Sequence, residues 1–336
     1  MKQNKILLEH GSGGKISNSM ISKMIIPIFD NSILAKLNDG AELNIKGQRL
    51  AFSTDSYVAD PIFFKGGNIG DLAVNGTIND ISMCGAEPLY LSAGLILEEG
   101  FLLSDLEKIL KTMAKAANKA GVKIVTGDTK VVPRGNADKI FINTSGIGII
   151  PEKVNVSGDN AKVGDKIIIS GTIADHGITI ISSRKGLEFD SDIKTDSASL
   201  NKMVKDMLAI SNNVHVLRDP TRGGLGTTLN EIAFQSNVGI RINEEFLPIN
   251  KQVLGICELL GFDPIYIANE GKLLAFVSCD DADKILKVIR QNEFGKHAAI
   301  IGEVVCDNPG KVFLNTTIGG TRIIDMMIGE QVPRIC

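Results

Sequence analysis

The alternation of apolar and polar residues along the chain predicts a mixture of strands and helices. Apolar runs typical of strands occupy residues 49–53, 89–97, 139–143, 166–170 and 272–278. Apolar residues at helical spacing predict helices at residues 70–83, 103–120, 200–210, 225–236, 251–260 and 281–292. The two kinds of element interleave without the strict strand–helix–strand order of a doubly wound sheet. We therefore expect a mixed α/β (α+β) fold with antiparallel pairing.

A polar, glycine-containing stretch at residues 151–165 separates two such mixtures. The chain has 336 residues, which is enough for two domains that each bury a core. We expect an N-terminal domain over residues 1–155, a C-terminal α/β domain over 156–315 and a flexible tail over 316–336. Gly319, Gly320 and Gly329 would loosen this tail, and Pro333 would prevent a closing helix.

Composition and charge exclude several classes of function. The net charge of −3 gives no basic field for binding nucleic acid. No apolar run approaches the length of about 20 residues that spans a membrane, and the first residues lack the apolar core of a signal peptide. We expect a cytoplasmic protein with neither nucleic acid nor membrane as a partner. The five cysteines form no Cys-x-x-Cys pair, which argues against a disulfide framework and a zinc site.

The sequence closes on Pro333, Arg334, Ile335 and Cys336, which places a thiol at the end of the predicted tail. A thiol in that position can swing into a pocket or be handed to another protein. The neighbouring Arg334 would favour the thiolate. We therefore expect a thiol that is presented rather than packed, and that carries a chemical group.

Aspartates recur at the ends of apolar runs, beside small residues and ahead of a helix or turn. A polyphosphate with bound magnesium needs hard oxygen ligands from separate loops, and such aspartates can supply them. A glycine loop near the N-terminus offers backbone amides and one ammonium group to phosphate, although its spacing is not that of a Walker A loop. The aspartates are Asp39, Asp55, Asp80, Asp128 and Asp219, and the loop is Gly11, Ser12, Gly13, Gly14 and Lys15.

Six segments carry a resemblance to a known family. They are HGSGGK at 10–15, STDSY at 53–57, NGTINDISMCGA at 75–86, VTGDTK at 125–130, DPTRGG at 219–224 and PRIC at 333–336. Together they resemble the hydrogenase maturation factor HypE family, the carbamoyl dehydratases of the aminoimidazole ribonucleotide synthetase superfamily. The resemblance covers essentially the whole chain, and the last four residues are particular to this family within the superfamily.

The resemblance implies a two-domain aminoimidazole ribonucleotide synthetase-like fold that binds ATP and Mg²⁺ in a cleft. It implies metal ligation by Asp39, Asp55, Asp80 and Asp219, and nucleotide binding by residues 11–15, Asn79 and Asp128. It also implies a homodimer whose N-terminal domains pair. The expected partners are the carbamoyltransferase HypF, which would load Cys336, and the HypC–HypD complex, which would receive cyanide on its iron.

The implied reaction is the ATP-driven dehydration of a thiocarboxamide on Cys336 to a thiocyanate. This chemistry asks for a base near the amide nitrogen and a cation near the phosphoryl group. Glu270 is our candidate base because it precedes a glycine and an apolar strand, at the end of a sheet. Lys130 is our candidate cation, since it would share one face of an extended segment with Asp128.

Three alternative functions are compatible with the same fold. A selenophosphate synthetase would carry cysteine or selenocysteine in the glycine loop, where this chain has Ser12. A small-molecule kinase such as thiamine monophosphate kinase would use the ATP site but leave Cys336 idle. A nucleotide-responsive assembly scaffold would dock its tail in partner proteins without turnover.

Overall fold

Two β-sheets, one from each half of the chain, organise the protein in a computed structural model. The structure describes residues 5–184, 192–329, 332 and 334–336. Pro333, which we expected to stiffen the tail, lies outside the described residues. The element order is mixed and most strand pairs are antiparallel, so the predicted α+β class is confirmed.

The first half builds a sheet with the strand order β1-β2-β7-β5-β6, in which only the β5–β6 pair is parallel among the described strands. A short β3–β4 hairpin leads into the central helix of this half. The strands are β1 (Ala41–Ile45), β2 (Gln48–Tyr57), β3 (Phe63–Phe64), β4 (Gly67–Asn68), β5 (Glu87–Glu98), β6 (Lys123–Val132) and β7 (Ile140–Ile149). The helices are α1 (Lys15–Met20), which continues as a π-helical turn at Ile21–Ile25, α2 (Ile26–Phe29), α3 (Ile69–Met83) and α4 (Leu103–Ala120).

The second half builds a sheet with the strand order β14-β13-β10-β12-β8-β11-β9. Its strands are β8 (Lys166–Ile169), β9 (Val214–Arg218), β10 (Gly239–Asn243), β11 (Leu274–Val277), β12 (Ala299–Val305), β13 (Val312–Asn315) and β14 (Thr321–Ile324). Its helices are α5 (Asp175–Ser182), α6 (Asn201–Ile210), α7 (Gly224–Gln235), α8 (Lys251–Leu260) and α9 (Cys279–Gln291).

Helical periodicity located six of the helices, whereas α1, α2 and α5 were not predicted. Predicted residues 103–120 and 251–260 coincide with α4 and α8, and the other predicted helices agree with the structure within two residues at each end. Gly121 ends α4 in the left-handed conformation that glycine adopts without strain. Strands were predicted too short, because β2 and β7 continue beyond the apolar runs as 10-residue strands with one open face.

One prediction about the tail is wrong. Strand β14 pairs with β13 and lies inside the segment 316–336 that we expected to be flexible. The antiparallel hydrogen bonds of Thr321–Ile324, with Ile324 buried, hold that part of the chain in the second sheet. A tail can therefore begin only after residue 324.

Helix α3 is buried on nearly all sides because it packs between the first sheet and the second half of the chain. The Asn68 side chain accepts a hydrogen bond from the amide of Gly70, and the Asp71 carboxylate accepts one from the amide of Asn68. These bonds cap the helix at its start. Gly76 is needed in its middle, since a Cβ there would lie 2.0 Å from the hydroxyl oxygen of Tyr57.

Among the described residues, no helix is both long and apolar enough to cross a membrane.

We predict that Gly76→Ala destabilises the protein by about 1–3 kcal/mol, because the added methyl group collides with Tyr57. Tyr57→Phe removes the colliding oxygen and should recover part of the loss in the double variant. The melting temperature measures both effects. Gly255→Ala is the matched control, since a Cβ at this exposed position of α8 meets nothing within 4 Å. Equal melting temperatures for the Gly76 and Gly255 variants would contradict the prediction.

Candidate active site

Buried and half-buried carboxylates from both halves of the chain meet between the two sheets. Asp55 lies on β2, Asp80 on α3 and Asp39 just before β1, while Asp219 follows β9 and Glu270 precedes β11. Burial raises the pKa of Asp80 well above its ordinary value, and the charges of Asp219, Asp55 and Asp39 raise it further. The four aspartates predicted as metal ligands are therefore close neighbours in the fold.

Arg218 partly balances this cluster of acids. Its Nε lies 2.7 Å from Oδ1 of Asp39, and its Nη2 donates to Oε2 of Glu231 at 2.7 Å. Burial raises the pKa of Asp39 to about 6 in spite of this ion pair. The second carboxylate oxygen of Asp39, Oδ2, is buried and has no hydrogen-bond partner among the described residues.

The end of the tail docks at this cluster, in its own subunit. The backbone amide of Val58 donates to a main-chain carboxylate oxygen of Cys336, and that of Asp60 donates to the carbonyl oxygen of Arg334, each at 3.0 Å. Cys336 is only 6% exposed, so our prediction of a presented thiol is wrong for this conformation. Backbone hydrogen bonds to residues 58–60 and burial of Ile335 and Cys336 account for the docking.

Arg222, and not Arg334, is the cation beside the sulfur. Its Nη1 donates to Sγ of Cys336 at 3.2 Å, whereas Arg334 turns away to form an ion pair with Asp138. Burial raises the pKa of the Cys336 thiol to about 12, although the charge of Arg222 acts in the opposite direction. The docked thiol is therefore protonated, contrary to the thiolate that we expected from its sequence neighbour.

The glycine loop lies over the docked tail. The amide of Lys15 donates to the carbonyl of Met327 at 2.9 Å, and a Cβ on Gly14 would lie 2.5 Å from that same oxygen. A Cβ on Gly13 would lie 2.9 Å from Cβ of Arg222. Gly11 and Ser12 line a cavity of about 170 Å³ beside Cys336. The loop thus approaches the reactive sulfur closely, with space left for a small group on it.

Glu270 lies within the same buried cluster as the thiol. Its amide donates to Oδ1 of Asp196 at 3.0 Å, and its Oε1 is buried without a hydrogen-bond partner among the described residues. Burial raises its pKa well above the ordinary value, and so do the charges of Asp219 and Asp55. A carboxylate with a free oxygen and a raised pKa is suited to accept a proton.

Asn79 lies beside Glu270 but binds protein backbone. Its Oδ1 accepts from the amide of Leu200 at 2.8 Å, and its Nδ2 donates to the carbonyl oxygens of Ala198 at 3.0 Å and Glu270 at 3.3 Å. Both ends of the amide are thus used within the chain. In this structure Asn79 joins α3 to the second half and positions Glu270, so the phosphate contact we predicted would require it to give up these bonds.

Asp128 and Lys130 are not brought to the cluster. Both lie on the edge strand β6, with side chains 68% and 70% exposed, and they pair with each other at 2.9 Å. They do share one face of an extended strand, as the spacing predicted. Within one chain, both side chains lie away from the carboxylate cluster. Their positions therefore do not support the predicted roles at the nucleotide and the phosphoryl group.

The comparisons with known proteins agree along the whole chain. Residues 37–150 match the family model of AIR synthase related proteins, N-terminal domain, and residues 162–315 match its C-terminal domain. The carbamoyl dehydratase HypE of Cupriavidus necator is 49% identical over all of this chain and 96% of its own length. The chain belongs to the carbamoyl dehydratase HypE family. The family predicted from the six sequence motifs is therefore confirmed, and with it the enzyme class.

Solved HypE structures support the fold. A HypE structure in complex with ATP has a TM-score of 0.83 and 52% identity, with 99% of this chain and all of that chain covered. The HypE–HypF complex contains a chain with a TM-score of 0.88 and 48% identity, with 92% of this chain and all of that chain covered. The predicted aminoimidazole ribonucleotide synthetase-like fold is thereby confirmed.

The buried acids fit magnesium in their chemistry. Carboxylate oxygens are the ligands that Mg²⁺ prefers, and the unpartnered oxygens of Asp39 and Glu270 are buried acceptors. Mutual repulsion, visible in the raised pKa values of Asp80 and Asp219, would also be relieved by a cation. No three His, Cys, Asp or Glu side chains of the described residues are arranged to hold a metal ion in this conformation.

Two residues of this HypE family member were missed by sequence reasoning. Arg222 lies inside the DPTRGG motif, where a cation between Asp219 and two glycines was the available signal. His176 is fully buried, and its Nε2 lies 3.1 Å from the carbonyl oxygen of Ile335. No sequence pattern links residues 176 and 335, because their contact is made by the fold.

We predict that docking of the tail weakens as pH rises above 9. The thiol pKa is raised from its ordinary value of 9.0 to about 12 on docking, so the docked state holds its proton more tightly. Docking is therefore strongest below pH 9 and weakens about tenfold per pH unit above it. Trypsin cleavage after Arg334, followed by intact mass, measures release of the tail.

Cys336→Ser is the control for this experiment, since a hydroxyl does not titrate in that range. Its cleavage rate should follow only the intrinsic pH dependence of trypsin. Identical pH profiles for the two proteins would show that the thiol proton does not contribute to docking.

Proposed function

We propose that the chain dehydrates a carbamoyl group carried on Cys336 and thereby makes the cyanide ligand for the iron of a nickel–iron hydrogenase. In the balanced reaction, the thiocarboxamide and ATP give an S-cyanylated cysteine, ADP and phosphate. The observation that carries the proposal is the docking of the Cys336 sulfur among Arg222, Glu270 and the buried aspartates. This arrangement supports the proposal because it would bring a carrier thiol and a carboxylate base together in one buried site.

In this proposal Glu270 takes protons from the amide nitrogen. Loss of two protons from nitrogen, together with loss of the oxygen as phosphate, converts the carbamoyl carbon into a nitrile. The raised pKa of Glu270, which follows from its burial, makes it a stronger base than an exposed glutamate. Arg222 would hold the sulfur end of the thiocarboxamide while this occurs.

ATP and Mg²⁺ would be held by the residues that surround the docked tail. The glycine loop at residues 11–15 would turn its backbone amides to phosphate, for which the amide of Lys15 would have to leave the carbonyl of Met327. Asp39, Asp55, Asp80 and Asp219 are suited to Mg²⁺. Bound ATP would supply the phosphoryl group that turns the carbamoyl oxygen into a leaving group. The HypE structure with ATP supports this assignment by similarity.

We also propose HypF as the carbamoyltransferase that loads Cys336 and a HypC–HypD complex as the acceptor of the cyanide. The HypE–HypF complex supports the first of these partners by similarity. Loading requires the tail to leave its docked position, because the thiol is buried and protonated there.

A homodimer is the proposed assembly, formed through the open face of the first sheet. Phe52, Ile147 and Tyr90 lie side by side across β2, β7 and β5, and Phe52 and Tyr90 are 43% and 48% exposed. Lys130 lies opposite Ile96 on that same face. The apolar row favours burial against a second copy, and the predicted roles of Asp128 and Lys130 at the nucleotide depend on that copy.

We predict that Glu270→Gln stops dehydration but not loading. With carbamoyltransferase, carbamoyl phosphate and ATP–Mg²⁺, intact mass should show the carbamoyl adduct without its conversion to the lighter cyano adduct. The expected loss of conversion is at least about 100-fold, as for removal of a general base.

Two controls bracket this experiment. Glu258→Gln changes an exposed glutamate on α8 and should convert normally, while Cys336→Ala should gain no mass at all. Normal conversion in Glu270→Gln would remove Glu270 from its assigned role. An adduct that forms and binds ATP yet never yields thiocyanate in the wild type would favour the scaffold reading.

For the assembly, Phe52→Glu combined with Tyr90→Glu should convert the dimer to a monomer, because two charges would be buried in the apolar contact. Light scattering after size-exclusion chromatography measures the mass. Phe234→Glu changes an apolar side chain that is 79% exposed outside this sheet and should leave the mass unchanged. A monomeric wild type, or a dimeric double variant, would argue against this interface.

A further inference from the structure

The last three residues of the tail have their main-chain oxygens bound on two opposite sides. On one side, Asp60 and Val58 donate their amides to Arg334 and Cys336. On the other, Nε2 of His176 bonds to the carbonyl of Ile335 at 3.1 Å. A peptide bound through successive main-chain oxygens is recognised by its main chain.

His176 is built to hold that middle carbonyl. A carbonyl only accepts, so Nε2 must carry the proton, and Nδ1 then accepts from the hydroxyl of Thr195 at 2.8 Å. Burial lowers the pKa of His176, which keeps the ring neutral and its two nitrogens distinct. Phe64 packs edge-on against the ring at 5.7 Å between centroids and fixes its plane.

Arg334 supplies the side-chain part of the recognition. Its Nη1 lies 2.5 Å from Oδ2 of Asp138, and its Nε donates to the carbonyl of Val58 at 2.9 Å. The backbone of Arg334 is in the left-handed region, with φ of 54°, which a residue with a Cβ adopts only when its contacts hold it there. Arg184 adds bonds to the carbonyl oxygens of Asp60 and Arg334 at 3.1 and 3.5 Å.

We infer that residues 58–60, Asp138 and His176 form a peptide-recognition groove for a chain that carries arginine, in the left-handed conformation, two residues before the cysteine. Its occupant in this structure is the chain's own tail. A free peptide of the same sequence offers the same groups and should bind in the same place. Asp138 and His176 are then positioning residues, since they act on the sulfur only by holding the tail.

This inference rests on the proposed function in one respect, namely that Cys336 is the carrier whose position matters. The test does not depend on carbamoyl chemistry. Docked Cys336 is buried, so the rate at which a thiol reagent alkylates it reports release of the tail. Peptide mass spectrometry after digestion separates this site from the exposed Cys279 and Cys306.

Exchange of the charged pair is the decisive experiment. Arg334→Glu and Asp138→Arg should each raise the alkylation rate of Cys336 by about three- to tenfold, as expected for loss of a partly exposed ion pair and its replacement by repulsion. The double variant Arg334→Glu/Asp138→Arg should label more slowly than either single variant, because the ion pair is restored, but faster than the wild type, because the hydrogen bond to the carbonyl of Val58 is still missing. Glu107→Arg breaks an exposed ion pair with Lys111 on α4 and is the matched control.

Either of two results would overturn the inference. One is wild-type alkylation rates in both single variants, and the other is a double variant that labels as fast as the singles while its melting temperature is unchanged. For His176, the phenylalanine variant should label faster, whereas His176→Gln retains a donor near Nε2 and should label more slowly than the phenylalanine variant. Equal rates for the two would remove His176 from the groove.

A competing peptide tests recognition without altering the chain. The hexapeptide Gln-Val-Pro-Arg-Ile-Ser should raise alkylation of Cys336 by displacing the tail, while the same peptide with glutamate in place of arginine should not. Millimolar peptide is needed, because a tethered tail has an effective concentration of that order. Equal effects of the two peptides would show that the groove does not read arginine. A protein that fails to make thiocyanate but passes these tests would contradict only the proposed function.

Discussion

Repulsion among carboxylates buried between the two sheets is the constraint on which the rest of the site depends. Asp39, Asp80, Asp219 and Glu270 all have pKa values raised first by burial. Such a cluster is costly unless cations or protons compensate it. Arg218 compensates on one side, and the remaining negative charge makes this interface suited to magnesium, which could in turn bind a polyphosphate. The burial of these acids where the two halves of the chain meet thus lowers the free energy of unfolding.

Docking of the tail changes the reactivity of the Cys336 thiol. A thiol that is carbamoylated in another protein must be reactive there, yet the dehydration we propose needs the loaded sulfur buried beside Glu270. Burial raises the thiol pKa to about 12, which protects the sulfur while it is docked, and the ordinary value returns when the tail leaves. Docking through main-chain oxygens leaves the sulfur free to carry a substituent, because Val58, Asp60 and His176 bind the backbone and not the side chain.

Sequence reasoning succeeded where the signal was local. Periodicity located α4 and α8, and four of the five aspartates at the ends of apolar runs proved to be spatial neighbours, Asp128 being the exception. It failed where distant contacts decide: Arg334 is adjacent to Cys336 in sequence, but Asp138 draws its side chain away and Arg222 takes its place at the sulfur. Glycines predicted a loose tail, although pairing of Thr321–Ile324 with β13 fixes its first part. The contacts of Arg334 and Arg222 join residues far apart in the chain, whereas β13 and β14 form a local hairpin, closed by residues 316–320, that the glycines led us to miss.

Asn79 and Asp80 are consecutive residues on α3, and they contact the two parts of the site, Glu270 and the carboxylate cluster. Asp80 belongs to the carboxylate cluster and accepts a hydrogen bond from Ser53 at 2.7 Å, while Asn79 binds the carbonyl of Glu270. Because α3 is buried on nearly all sides, the helix holds the base at a fixed distance from the acids suited to magnesium. A shift of the second domain that moved Glu270 would have to break the bonds of Asn79 to Ala198, Leu200 and Glu270. The amide of Asn79 therefore couples the position of Glu270, the proposed base, to the position of the acids that we propose as metal ligands.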